Sequence, residues 1–385
     1  MRTILTVLTA ALFLQGSAQT APAGFLQRQG TDLVMDGKPF RAIAVNKFDL
    51  FLQYLRGGEE RQQAETAMRE AAEHGFKVIR FAGVGFWPQD MKQWADTENW
   101  WKAMDSVVAD AAKLGIWLIP TINWNTYLFP DMAHECVQDM LTNRNSRSWQ
   151  YMEAYTVEFV KRYKDNPTIL MWEISNELNL GADIESTRPH GFHDLCGVHL
   201  GGPPVRLRRD NFTTDQMISY VRDVAKLVRS LDPNHLITPG YSSPRPPAQH
   251  LRRNPEKGDW THDSEADVVR WYRDTHPSPA EVISVHFYPE HDNIRFGNTD
   301  VQSAEPLRKL KRLADKAGMP LFLGEVYGPI PYMKHVLQIA IEEDIPIVLI
   351  WQWHTPWQAD YDVTPAKAPE LVRMMREANE QRRRP

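Results

Sequence analysis

The chain has 385 residues, 42% of them hydrophobic and 24% charged, enough to bury a large core and a length that suits one α/β barrel better than several small modules. Its formal charge of −5, from 44 Lys and Arg against 49 Asp and Glu, excludes wholesale nucleic-acid binding and fits neutral partners. Two cysteines are too few for a disulfide-stapled scaffold.

The N-terminus reads as a secretory signal. Met1-Arg2 is followed by a mostly apolar run from Ile4 to Leu14 and by small residues Gly16-Ser17-Ala18. Cleavage after Ala18 would leave 19–385 as a single catalytic domain. The run is short for a membrane span and no later stretch is long and apolar enough, so a secreted or periplasmic protein is expected, without a membrane partner. In such a compartment Cys136 and Cys196 can form one disulfide between two loops; spacing leaves two unpaired thiols equally open.

Residues Phe25 to Phe40 hold two short apolar stretches and the turn signal Asp36-Gly37-Lys38-Pro39, which predicts an N-terminal β-hairpin capping one end of the domain. From Phe40 onward, β-rich apolar runs alternate with segments of helical period. The first four pairs are strand Phe40–Asn46 with helix Glu59–His74, Lys77–Phe81 with Glu98–Leu114, Ile116–Ile122 with Ser148–Tyr163, and Thr168–Ser175 with Thr214–Leu231. The last four are His235–Pro239 with Ser264–Arg273, Val282–Phe287 with Ser303–Ala317, Leu321–Glu325 with Pro331–Glu343, and Pro346–Trp351 with Pro369–Glu380. Eight strand–helix units in strict alternation predict a closed parallel (β/α)8 TIM barrel. The competing doubly wound sheet is weakened because no Gly-rich phosphate fingerprint follows any strand.

In such a barrel the chemistry sits where strands end. The strand ends are Asn46, Arg80-Phe81, Asn123-Trp124, Asn176-Glu177, Gly240-Tyr241, His286-Phe287-Tyr288, Glu325 and Trp351-Gln352-Trp353. Long insertions 125–147, 179–212 and 241–263 all follow strands, so they would wall a cleft. Glu177 and Glu325 end strands four and seven, on opposite sides of the mouth. Two carboxylates with aromatic platforms suit glycoside hydrolysis, one carboxyl protonating the leaving oxygen and the other attacking or activating water. Period-two alternation would put Asn176 and Glu177 on opposite faces, so both reach the site only if the strand twists or bulges there.

The stretch Thr168–Leu178, the His286-Phe287-Tyr288 strand end, Leu321–Glu325 and the Trp351 strand end resemble the cellulase-like clan of (β/α)8 glycosidases, particularly glycoside hydrolase family 5. The resemblance implies a retaining mechanism with Glu177 as acid/base and Glu325 as nucleophile. It further implies that Asn176 bonds the 2-hydroxyl of the reacting sugar, Arg80 keeps the nucleophile ionised, Tyr288 bonds Glu325, His286 lies near Glu177 and Trp351 floors the reacting sugar.

Other readings stand beside these. Arg80 can pair with Glu173, which reads as a hydrogen-bonded strut of the barrel interior. Asn123, Trp124 and Trp353 are candidate sugar contacts, Trp353 being able to take the role of Trp351; Trp87 and Trp357 also lie in or beside strand-end loops. His134, His190, His193, His199, Cys136 and Cys196 match no familiar zinc spacing, so no metal and no cofactor are expected. The basic stretch Arg245 to Lys257 reads as a solvated loop, with an anionic-sugar subsite as its rival. Asn123-Trp124 and the full-length order are similar to secreted β-mannanases, pointing to an endo-1,4-β-mannanase acting on a β-linked polysaccharide. Leu178 stands where those relatives usually carry proline, and the insertion after it is long, which leaves an endo-β-1,4-glucanase or an exo-acting glycosidase open. A carbohydrate-binding barrel without hydrolytic activity is the reading from another class. Oligomeric state is unreadable.

Overall fold

The computed structural model describes residues 24–185, 200–203, 206–255, 257–289, 300 and 302–383. The signal-like segment, Cys196 and three of the four loop histidines named above lie outside the described residues.

Three short antiparallel strands open the fold: β1 Leu26–Gln29, β2 Asp32–Met35 and β3 Lys38–Pro39. Asp36 and Gly37, both at positive φ, make the turn between β2 and β3. The expected hairpin therefore carries one further strand. Arg41 ties it to the barrel, its guanidinium meeting Asp32 of β2 and Asp344 of the turn before the last strand.

Eight parallel strands follow: β4 Ala42–Asn46, β5 Val78–Ala82, β6 Trp117–Asn123, β7 Met171–Ser175, β8 Leu236–Thr238, β9 Ile283–Phe287, β10 Leu321–Val326 and β11 Ile347–Ile350. Their order around the sheet is β8-β7-β6-β5-β4-β11-β10-β9. β8 and β9 bring its edges together, with the Glu281 N–H donating to the Ile237 carbonyl and the Thr238 hydroxyl to the Val282 carbonyl, each at 2.9 Å. This is the (β/α)8 barrel read from the sequence. The strands lie buried on both faces, as a parallel sheet jacketed by helices requires, which is why they read as continuous apolar runs.

The outer helices follow the predicted pattern closely. Helix Thr214–Leu231 begins at a capping box of Thr213 and Gln216 and buries Met217, Tyr220, Val221, Val224 and Val228, a stripe at three- and four-residue spacing. Helices also form where only loops were read, at Leu50–Arg56, Leu128–Ala133, Val137–Thr142 and Ala248–Arg253. These run six or seven residues, too short for a periodic signal; tertiary partners hold them, as when Asp210 accepts the Val137 N–H at 3.0 Å. Cys136 carries a free thiol.

Candidate active site

A cleft of about 1330 Å³ opens at the C-terminal ends of the strands. Glu177 and Glu325 face each other in it, with Asn176, Tyr288, Trp124 and Trp351 around them.

Each carboxylate reaches the cleft through a break in its strand. Glu177 follows β7 with φ 50 and ψ 26, a left-handed turn uncommon for a residue with a side chain. The turn cancels the alternation that would have sent Asn176 and Glu177 to opposite faces, and the Glu177 N–H is anchored on the Gly240 carbonyl at 2.8 Å. Only glycine fits at 240: its φ is +79, and a Cβ there would lie 1.8 Å from the Ser175 carbonyl oxygen.

On β10, Leu321 pairs with Ile283 and Leu323 with Val285, but Glu325 pairs with His286. Gly324 is bulged out, which flips Glu325 to the face opposite Leu323. The Asn46 side-chain amide donates to the bulged Gly324 carbonyl at 2.9 Å. A Cβ at Gly324 would come within 2.9 Å of the His286 ring, so a larger residue would displace that imidazole.

Arg80 organises the floor of the site. Its Nε donates to Glu173 Oε1 at 2.8 Å, Nη1 to Glu325 Oε1 at 2.7 Å and to Asn46 Oδ1 at 3.0 Å, and Nη2 to Asn176 Oδ1 at 2.6 Å. Both readings of Arg80 therefore hold together, since it pairs with Glu173 and with Glu325. Glu173 is the fully buried strut, accepting also from the Thr121 hydroxyl at 2.5 Å. The Arg80 guanidinium lies 4.3 Å from the centre of the Trp124 ring.

Glu325 accepts a second hydrogen bond from the Tyr288 hydroxyl at 2.8 Å. Burial pushes its carboxyl above the usual range; the Arg80 guanidinium pulls it down, Glu177 pushes it up, and the Tyr288 hydrogen bond lowers it. Tyr288 is itself raised well above 10, by burial first and then by the two glutamates, so it stays a hydrogen-bond donor. Burial drives His286 down to about 4, leaving a neutral imidazole whose Nδ1 stands 3.0 Å from Glu177 Oε1 and 3.4 Å from Glu325 Oε1.

The aromatic wall is built on Phe48, whose ring meets those of Trp124 at 5.0 Å, Phe86 at 5.3 Å, Trp357 at 5.8 Å and Trp351 at 6.5 Å. Trp124 and Trp351 stack at 6.0 Å with 29° between planes.

Two expected sugar contacts stand outside the cleft. Trp353 is fully buried behind the barrel wall, donating its indole N–H to the Ala67 carbonyl at 2.8 Å and packing edge-on to Phe76. The chain has left regular strand geometry after Ile350, so Trp351 and Trp353 no longer share a face. Asn123 turns to the helix layer, where its amide donates to the Tyr220 hydroxyl at 3.2 Å, a buried group that needs a partner. Phe48, Asn46, Tyr327, Tyr361 and Gln358 were missed; of these only Asn46, at a strand end, carried a signal.

Among the described residues, Glu177, His286 and Glu325 offer ligand atoms within 4.8 Å of one another, as do His250, Asp263 and Asp267. In the first group both Glu325 oxygens already accept hydrogen bonds, from Arg80 and from Tyr288, which works against a further cation. In the second, the carboxylates accept from backbone N–H groups of Gln249, His250 and Ser264 and from Arg253. Within the basic loop, Arg252 pairs with Asp215 and Asp274 and Arg253 with Asp267, so these cations are committed to the protein rather than to an anionic sugar.

Residues 34–355 match the family described as Cellulase (glycosyl hydrolase family 5). The chain is 27% identical over 241 residues to mannan endo-1,4-beta-mannosidase 1 of Oryza sativa subsp. japonica, covering 56% of this chain and 49% of that protein. It is 23% identical over 363 residues to mannan endo-1,4-beta-mannosidase 3 of Arabidopsis thaliana, covering 84% and 77%. The chain thus spans about half of the first of these relatives. Its fold is similar to that of an endo-1,4-beta-mannanase from Rhizomucor miehei, with a TM-score of 0.65, 18% identity, and coverage of 92% of this chain and 99% of that one. A match over most of its length, on a barrel with paired strand-end carboxylates, places the chain in the cellulase family, glycosyl hydrolase family 5.

Proposed function

We propose that the protein is a retaining β-glycoside hydrolase acting on a 1,4-β-mannan backbone by double displacement. The observation that carries the mechanism is the spacing of the acids. One carboxylate oxygen of Glu177 lies within 4.8 Å of one of Glu325, an approach that fits the roughly 5 Å spacing of retaining enzymes better than the gap of about 6.5–9.5 Å that admits a water for inversion.

In this reading Glu177 protonates the glycosidic oxygen while Glu325 attacks the anomeric carbon, breaking its bond to the leaving group and forming a glycosyl-enzyme ester. Glu177, now ionised, takes a proton from water, whose oxygen displaces Glu325 and restores both groups. Arg80 and Tyr288 donate into Glu325 and hold its charge in the attacking state. Asn176, with its oxygen committed to Arg80, has its amide N–H groups free to meet the sugar 2-hydroxyl. Trp351 floors the reacting unit.

Mannan is favoured by the names of the relatives, two of which come from plants. Export through the Met1–Ala18 segment belongs to the same reading.

The test is hydrolysis of β-mannan, glucomannan, cellulose, mixed-linkage glucan and xylan, with product anomers followed by proton NMR. Mannan cleaved with retained configuration, by wild type and not by Glu325→Gln, is the expected result. Glu177→Gln should lose about 10²–10⁴-fold on polysaccharide and much less on aryl glycosides with good leaving groups, which need no proton. Inverted products, or unchanged activity in either variant, would overturn the mechanism; cleavage of cellulose alone would replace the substrate.

A further inference from the structure

Trp357 is one of three large hydrophobic side chains strongly exposed among the described residues, and the one that lines the cleft. A lone exposed indole is ordinary on a protein surface, but this one stands at the cleft beside Phe48.

It is also held in place. Its N–H donates to Asp49 Oδ2 at 3.1 Å. Asp49 is buried and is neutralised by Lys47, itself 1% exposed. The Lys47 ammonium also donates to the His354 carbonyl at 2.9 Å, on the loop that bears Trp357. Next along the chain, the Gln358 side-chain oxygen accepts from the Trp351 indole at 3.1 Å and from the Gln352 amide at 2.7 Å. A buried lysine and aspartate thus pin one indole, and a glutamine ties its loop to the other. Phe48 packs against both rings.

We infer that Trp357, fixed by Asp49 and Lys47, is a second sugar platform, binding a unit of the glycan chain beyond the one over Trp351. This rests on the reading of the cleft as a glycosidase site. The loop follows β11, four strands of eight from β7 around the sheet, so Trp357 stands across the mouth from Glu177. Glu177 faces the leaving oxygen in that reading, and the units over Trp357 therefore belong to the part of the chain transferred to Glu325. Asp49 and Lys47 are positioning residues here.

The test compares wild type, Trp357→Ala and Trp357→Phe on manno-oligosaccharides from trisaccharide to hexasaccharide. For the alanine variant KM on the hexasaccharide should rise about tenfold with kcat within about twofold, as expected for losing an aromatic anchor that bound sugar would cover. The loss should shrink on shorter chains, and phenylalanine should recover most of it. An unchanged KM, or a loss falling equally on every chain length or mainly on kcat, would overturn the platform. If wild type cleaves no mannan, the functional reading fails instead. The platform is then judged by fluorescence titration with mannohexaose and cellohexaose: weaker binding in Trp357→Ala supports it, and equal binding, or none by wild type, overturns it.

Discussion

Glu173 clasps one edge of Arg80, its Oε1 lying 2.8 Å from Nε and 2.7 Å from Nη2, and so turns the remaining nitrogen, Nη1, toward Glu325. Both side chains are fully buried. One guanidinium serves two carboxylates, so its charge is shared between them.

The sharing predicts a pH effect. The groups facing Glu325 are Arg80 from β5, His286 and Tyr288 from the end of β9, Glu177 after β7 and the neutral Asn46 of β4. As the proposed nucleophile Glu325 must be ionised to attack, so activity should fall as pH drops through its raised pKa. With Glu173→Gln, the whole charge of Arg80 falls to Glu325 and the ionised form becomes easier to reach. The acid limb of kcat/KM should move down by about one pH unit, while the maximal rate falls because the carboxylate is less basic. An acid limb that stays in place while activity drops would leave Glu173 as scaffolding alone.

Stability should respond to Glu325 in the opposite sense to activity. A carboxyl whose folded pKa is raised costs stability once the unfolded state ionises, and the cost is complete above the folded pKa. Glu325→Gln removes it and leaves Arg80 paired with Glu173. That variant, expected to be inactive, should be more stable than wild type at neutral pH, by about 1 kcal/mol, with the difference shrinking as pH falls through the raised folded value and gone below the ordinary glutamate range. Thermal melts across pH check this, and a gain that grew on acidification would contradict it.

Trp351 and Trp353, two residues apart, should separate under mutation. Trp351 borders the cleft and Trp353 is buried against Phe76 and Ala67. Trp353→Ala should cost about 3–5 kcal/mol in denaturant unfolding, from lost burial and the cavity left behind. Trp351→Ala should unfold near the wild-type midpoint and lose most of its turnover.

Gly240→Ala should disable the protein although residue 240 offers no side chain to chemistry. The positive φ and the overlap with the Ser175 carbonyl force the β8 end away from β7, and with it the carbonyl that anchors Glu177. A destabilisation above about 4 kcal/mol, or failure to fold, is expected in circular dichroism. A variant that folds and cleaves like wild type would show that the anchor is dispensable.

Most of the barrel was legible because its strands are apolar on both faces and its helices are long enough to show their period. Helix Thr214–Leu231 was read to the residue, whereas the six-residue helices were invisible because loop partners, not composition, stabilise them. In the site, Glu177, Glu325, Arg80, Asn176, His286, Tyr288, Trp124 and Trp351 come together in one constellation. Trp353 failed because β11 ends at Ile350 and the chain is irregular beyond it, and Asn123 of β6 failed although it still pairs with Ser175, because its amide is taken by the helix layer. A Tyr220 hydroxyl and the Ala67 carbonyl then decide where those side chains go. Phe48 had no signal, since an aromatic just after a strand reads the same whether it supports a cleft or a core.

The bulge at Gly324 and the left-handed turn at Glu177 bear on anyone wishing to transplant this constellation. Copying the two glutamates onto matching positions of a regular barrel would aim Glu325 along the Leu321 and Leu323 face and set Glu177 opposite Asn176. The portable unit is therefore a pair of backbone defects with their local braces, Asn46 beneath one and Gly240 beside the other. A design that grafts the defects first can choose its carboxylates afterwards.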